Sequence, residues 1–176
     1  MKKLSIGLIA LSLIIISGFT ASMIWNVSNE GVTISFELPD EGTKGTLSGL
    51  KATIDFDHKD PSTSKIEATV DFKTLNSGNK QKDDHLKAPD IFDAEKYPTI
   101  KFSSTSIKAI SEGFLATGNL TMKDSTKTIE IPFTFTEEAN GSAVLKGRMT
   151  IHTSDFGIMK KGQDKVVVSI VVPIKK

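Results

Sequence analysis

Asp83, Asp84 and His85 are the residues with the strongest claim to chemistry: three adjacent side chains able to ligate a divalent metal or form an acid–base pair. Their spacing argues against convergence. Lys80 to Leu86 shows no strand alternation and reads as one or two helical turns, stopped before Pro89. Adjacent residues on a helix point in different directions, and a credible site needs several convergent groups. The plainer reading has one aspartate capping a turn and His85 bonding a backbone carbonyl. His58 falls in a polar turn, where it is expected to be solvated, and His152 falls near a strand end. The sequence carries no G-x-S-x-G elbow, H-E-x-x-H pair or phosphate loop. With no cysteine, thiolate catalysis and cysteine-ligated metals are excluded. A non-enzyme is expected.

The elements around this cluster are strands. Val32, Ile34, Phe36 and Leu38 alternate with polar residues, as do Leu50, Ala52, Ile54 and Phe56, then Ile66, Ala68, Val70 and Phe72. Ile129, Ile131, Phe133 and Phe135 repeat the pattern, and Val166 to Ile174 is apolar at nearly every position. Turn signals separate the runs at Asp40-Glu41-Gly42, Asp57 to Pro61, Ser111-Glu112-Gly113, Asn140-Gly141 and Lys161-Gly162. Short strands, each polar on one face, predict a sandwich or an antiparallel barrel. Pro132 and Pro173 should face away from the ladder, at an edge or a bulge. Gly78 to Pro98 is too long for a hairpin loop. It predicts a small helical excursion, around residues 79–93, with Ile91 and Phe92 packing back on the barrel as a lid.

Composition bounds the partners and the address. Lys and Arg number 22 against 21 Asp and Glu, and Arg148 is the one arginine. Nucleic acid is therefore not expected as a partner, since phosphate contacts need concentrated Lys and Arg. Met1-Lys2-Lys3, the apolar run Leu4 to Phe19 and the small residues Thr20-Ala21-Ser22 have the layout of a secretory signal peptide. Residues 1–22 are expected to be cleaved, leaving one domain over 23–176 with a net charge of −1. The alternative is a retained anchor, since no charge follows Lys3 until Glu30 and the apolar stretch exceeds roughly 18 residues. A periplasmic or secreted location is expected, and a lipoprotein is not, because there is no cysteine to acylate.

Several blocks in order carry a family resemblance. They are Gly45-Thr46-Leu47-Ser48-Gly49-Leu50 with Ile54-Asp55-Phe56-Asp57, the turn Thr74 to Asn79, and Asp83-Asp84-His85-Leu86. Phe92-Asp93 with Tyr97-Pro98 and Ile100-Lys101-Phe102 follows, then Gly118-Asn119-Leu120-Thr121 with Thr126-Lys127, and Ser154-Asp155-Phe156-Gly157. Together they resemble the YceI-like family, bacterial lipocalin-like barrels that hold polyisoprenoid lipids. Two positions depart from its pattern. Lys82 stands where the family has the Arg of R-D-x-H-L, and His152-Thr153 replaces the N-R before S-D-F-G. A lysine cannot reproduce the planar fork of arginine, so ligand preference is where divergence is expected.

The resemblance implies an all-β, antiparallel lipocalin-like β-barrel that binds, stores or transports an isoprenoid or similar long-chain amphiphile, without catalysis. Pattern alone favours a packed core, because interiors are usually close-packed; the resemblance favours a hollow one. Expected lining and mouth residues are Phe36, Phe56, Phe72, Lys82, His85, Leu86, Phe92, Phe102, Phe133, Phe135 and Phe156. No metal or catalytic residue is assigned and no cofactor is expected, beyond a bound isoprenoid or quinone-like lipid. Transient membrane contact and a homodimer are further expectations. The alternatives are a metal-dependent enzyme built on Asp83, Asp84 and His85, or a ligand-free stress-response or interaction module.

Overall fold

Alternation of apolar and polar side chains turns into strand after strand in the computed structural model, which describes residues 23–28, 30–159, 162 and 164–176. The signal-peptide reading of 1–22 lies outside the described residues. In chain order come β1 (Ile24–Val27), β2 (Thr33–Leu38), β3 (Thr43–Asp55), β4 (Lys65–Asn76), α1 (Lys80–Lys87), β5 (Thr99–Ile110), β6 (Gly113–Met122), β7 (Ser125–Glu137), β8 (Ser142–His152) and β9 (Lys165–Lys175). Every strand pairing is antiparallel.

The sheet closes on itself. From β2 the neighbours run β3, β4, β5, β6, β7, β8 and β9, and β9 returns to β2. β1 pairs with the same two strands as β2, Trp25 opposite Ile54 on β3 and Val27 opposite Ile174 on β9. β1 and β2 are thus two pieces of one barrel position, which gives eight positions in the ring. Closure removes the exposed edges that an open sheet leaves to unwanted pairing, which suits a domain without disulfides.

The prolines sit where the ladder can spare a donor. Pro132 faces Leu115 on β6, while on its other side the β7–β8 pairing begins only at Phe133. Pro173 faces Val144 on β8, and its carbonyl accepts from Ser28 N–H at 2.9 Å, in the gap between β1 and β2. One glycine is fixed by contact. Gly45 lies opposite Phe36, and a Cβ there would meet the Phe36 ring at 2.5 Å and the Asn76 carbonyl oxygen at 2.6 Å.

The two ends of the barrel differ. One end is packed solid by aromatic side chains and is called the floor here. Phe56 has no exposed surface, and its ring meets those of Phe114, Phe133 and Phe135 edge-on with centroids 4.9, 5.4 and 5.2 Å away. Trp25 adds its ring to Phe135 and donates from Nε1 to the Phe56 carbonyl at 2.9 Å. Both described chain ends lie here: Met23 N–H donates to Asp55 Oδ1 at 2.8 Å, and Asn26 pairs with Lys175. The opposite end carries the 3-10 turns Pro39–Glu41 and Thr153–Phe156, together with α1 and the turns that follow it to Pro98. Ring closure and all three core clusters are made within residues 23–176.

Candidate ligand-binding cavity

Between floor and lid the barrel is hollow. A cavity of about 210 Å³ is lined by inward residues of β2 to β9, with Leu86, Phe92 and Met159 at its upper end. Among the described residues, none that lines it carries a polar side chain. A ring of eight strands leaves an interior just wide enough for side chains to fill, so a void requires small residues at inward positions. Ala52 and Ala68 face each other across β3 and β4, and Ala116 and Gly147 occupy inward positions on β6 and β8. A larger depression of about 520 Å³ lies on the outer face of β3 to β6. It is open to solvent and edged by Lys51, Thr53, Glu67, Thr69, Lys101 and Asn119, so it does not enclose anything.

The lid is strapped down at several points. Asn79 caps α1, its side-chain oxygen accepting from Gln81 N–H and Lys82 N–H at 3.0 and 3.2 Å. Leu86 is the one buried residue of α1. Beyond the helix, Phe92 stacks on Phe72 with ring centroids 4.2 Å apart. Lys123 Nζ donates to the Ile91 carbonyl at 2.8 Å, and Lys73 pairs with Glu95 at 2.8 Å. Phe72 N–H donates to the Pro98 carbonyl at 2.7 Å, which joins the end of the lid to β4.

The residues singled out in the sequence fall into three groups. Phe36, Phe72, Leu86, Phe92, Phe102 and Phe133 line the cavity. Phe56 and Phe135 also point inward, but they are part of the floor below it. Phe156 is buried beside it, in a cluster with Leu120, Met122, Ile151 and Ile158. Lys82 and His85 do not line it. Lys82 Nζ donates to the buried Thr43 hydroxyl at 2.8 Å and so braces α1 against the start of β3. The His85 side chain is exposed, one helical step away from the buried Leu86.

Wall residues that the sequence reading did not single out as site residues include Leu47, Leu50, Ile66, Val70, Ile100, Met149, Val168 and Ile170. Several are members of alternating runs, and the alternation was the signal. The thinning residues Ala52, Ala68, Ala116 and Gly147 were the other available clue.

The acidic cluster is spent locally. The Asp83 carboxylate accepts from Ser77 N–H at 2.8 Å and Ser77 Oγ at 2.6 Å, and the Ser77 hydroxyl bond leads in holding its pKa below the ordinary range. Asp84 pairs with Lys80 one turn earlier at 2.6 Å, an exposed pair. The His85 carbonyl accepts from Ala88 N–H, closing the helix. Among the described residues no three His, Asp or Glu side chains gather as metal ligands. His58 corrects the expectation of a solvated ring: it stacks on Phe135 with centroids 5.4 Å apart, and its Nδ1 is buried without a hydrogen-bond partner.

A closed antiparallel barrel with an apolar interior, a filled floor and a small helical lid defines a lipocalin-like protein. The YceI-like domain model matches residues 25–175, and the chain belongs to that family. A UPF0312 protein of Photorhabdus laumondii is 30% identical over 134 residues, covering 73% of this chain and 70% of that protein. Among solved structures, BcnA of Burkholderia cenocepacia superposes with a TM-score of 0.77 at 22% identity, covering 84% of this chain and 99% of that one. A domain from Saccharophagus degradans, described as polyisoprenoid-binding and implicated in plant cell wall breakdown, superposes with a TM-score of 0.65 at 9% identity. It covers 88% of this chain and 99% of that domain.

Proposed function

We propose that the protein is a non-catalytic carrier or store for an isoprenoid or similar long-chain amphiphile, held in the barrel interior. The observation that carries this reading is the void inside the barrel, whose described lining is wholly apolar. Pockets for polar ligands place a few polar groups among apolar ones, and the described residues of this wall offer none. The family, and the polyisoprenoid-binding description of the Saccharophagus domain, support the same ligand class.

Energetics favour exchange over turnover. Each buried CH₂ is worth about 0.8 kcal/mol relative to water, so a prenyl tail cannot be left free in solution. A bilayer is equally apolar, so transfer between membrane and barrel is nearly balanced, and fit decides its direction. Export by the leader at residues 1–22 would place the carrier in the periplasm or outside the cell, and transient membrane contact would load it.

Native mass spectrometry after mild purification tests the reading. A lipid mass bound one to one, released by organic solvent and identified as a prenyl or related long-chain lipid, is the expected result. Protein that stays lipid-free after incubation with prenyl-lipid vesicles would sink it.

A further inference from the structure

The ring of strands is closed, but not over its full height. Among the described residues, β7 and β8 pair from Glu137↔Ala143 up to Phe133↔Gly147 and no further. Above that point β7 still pairs with β6 as far as Ser125, and β8 with β9 as far as His152. Ser125–Pro132 and Arg148–His152 therefore have a ladder partner on one side only, and the wall is split toward the lid end. We infer that this split is a side gate through which lipid tails pass between the cavity and a membrane, with the Thr153–Phe156 turn as its plug. The inference rests on the lipid-binding reading above and adds the route by which the cavity fills and empties.

Pro132 explains where the split begins. Its carbonyl oxygen would stand 3.5 Å from a Cβ on Gly147, so it lies toward β8. In an antiparallel ladder a residue presents its N–H and its C=O to the same neighbour. The next bond to β8 would need the N–H that proline lacks.

Both lips of the split belong to the cavity wall: Ile131 on β7, and Gly147, Met149 and Ile151 on β8. The split thus leads straight to the void. The turn that follows β8 folds across it and packs on β7. Phe156 of this turn is buried in one cluster with Ile151 of the β8 lip, and Ile129 of β7 packs against the same cluster. Phe156 does not line the cavity. It closes the split from behind the lining.

The plug is held by weaker means than the lid. Among the described residues no hydrogen bond joins the turn to β7. The turn bonds to itself and to Asp164: Thr153 N–H donates to the Asp164 carbonyl at 2.9 Å, and the Ser154 hydroxyl donates to the Asp164 carboxylate. The lid, by contrast, is hydrogen-bonded to the barrel through Lys123, Phe72 and Lys82. A closure made by apolar surface is strong in water and weak against a bilayer, which takes up that surface equally well. The gate is shut in solution and freed at a membrane. Phe92 packs against the same cluster as Ile129, so a change there loosens lid and plug together. Separating the two routes takes changes at the split itself.

Continuing the β7–β8 register would set Glu130 opposite Thr150, across the split, while Thr134 and Lys146 are already paired below it. All four are exposed, and the chain has no cysteine of its own. Protein spanning residues 23–176 is made as Glu130→Cys with Thr150→Cys and, separately, as Thr134→Cys with Lys146→Cys. Each pair is bridged with a short bismaleimide, the bridge being verified by mass and the fold by circular dichroism. The proteins are loaded with a fluorescent prenyl alcohol, and its transfer to phosphatidylcholine vesicles is followed by stopped flow. The upper bridge should slow transfer by about tenfold or more, as closing an exit step does, and the lower bridge should leave the unbridged rate unchanged. Pro132→Val, which restores the missing donor and lets the ladder extend, should slow transfer as well. Equal rates for the two bridged proteins overturn the gate while leaving lipid binding in place. Failure of the wild type to load at all overturns the lipid reading and the gate with it. Where the upper bridge does not form, the Pro132→Val rate decides alone, and a wild-type rate overturns the gate.

Discussion

Phe72 on β4 and Phe92 in the lid stack nearly face to face, 24° from parallel with centroids 4.2 Å apart, and both rings line the cavity. The contact joins the wall to its cover. Aromatic pairs of this kind contribute about 0.5–1.5 kcal/mol beyond the area they bury, so it is a latch that thermal motion can open.

Phe92→Ala should therefore act on exchange before it acts on folding. Phe92 is only partly buried, so the loss of stability should fall below the ~3–5 kcal/mol typical of a core Phe→Ala change. Stopped-flow release of a fluorescent prenyl analogue should quicken by about tenfold, the factor that about 1.4 kcal/mol of lost latch would give. A release rate equal to wild type would show that Phe92 does not gate the cavity.

Asp164 ties the loop before β9 to the barrel rim and gives it an acid limit. Its carboxylate accepts from the Ser154 hydroxyl and, at 2.9 Å, from Gly162 N–H, while His152 Nδ1 lies 3.4 Å away. The Ser154 bond leads in lowering its pKa from 3.8 to about 2. Because the folded value is the lower one, the carboxylate contributes stability above the ordinary aspartate value. That contribution is lost as pH falls toward about 2. Urea melts at stepped pH should show wild type losing stability across this window more steeply than Asp164→Asn. Parallel curves would mean that Asp164 contributes nothing there.

His58 should be replaceable with profit. Its ring contributes a stack on Phe135, but Nδ1 is buried without a partner. An unsatisfied buried polar atom costs about 1–3 kcal/mol. His58→Phe keeps the ring and removes the orphan, so stability should rise by about 1 kcal/mol, read as a higher urea midpoint. A lower midpoint would show that the nitrogen has a use in the native state.

Period-two alternation made the strands legible. The runs at 32–38, 50–56, 66–72 and 129–135 fall within or at the ends of β2, β3, β4 and β7, and the apolar run 166–174 lies in β9. Alternation reports which face a side chain takes but not its height along the barrel axis. Phe133 and Phe135 share a face in sequence, yet Phe133 borders the void and Phe135 lies in the floor. Height depends on how strands are staggered around the ring, a property of long-range pairing that no local window contains. The helix shows the same limit in another form. Its one buried position is Leu86, and a rotation of one residue sends His85 to solvent. Lys82, at a position where the family resemblance suggested either a hold on a polar end-group or a brace for the mouth, donates to Thr43 at the start of β3.

The placement of Met23 and Lys175 at the floor has a practical reach. Anything joined to the barrel at Met23 or beside Lys175 takes hold of it by its filled base, on the side away from Leu86 and Phe92. An affinity handle, a sensor surface or a scaffold attached there would leave the opening side facing outward, so the barrel can be mounted as an array of upright cups without redesign of its rim.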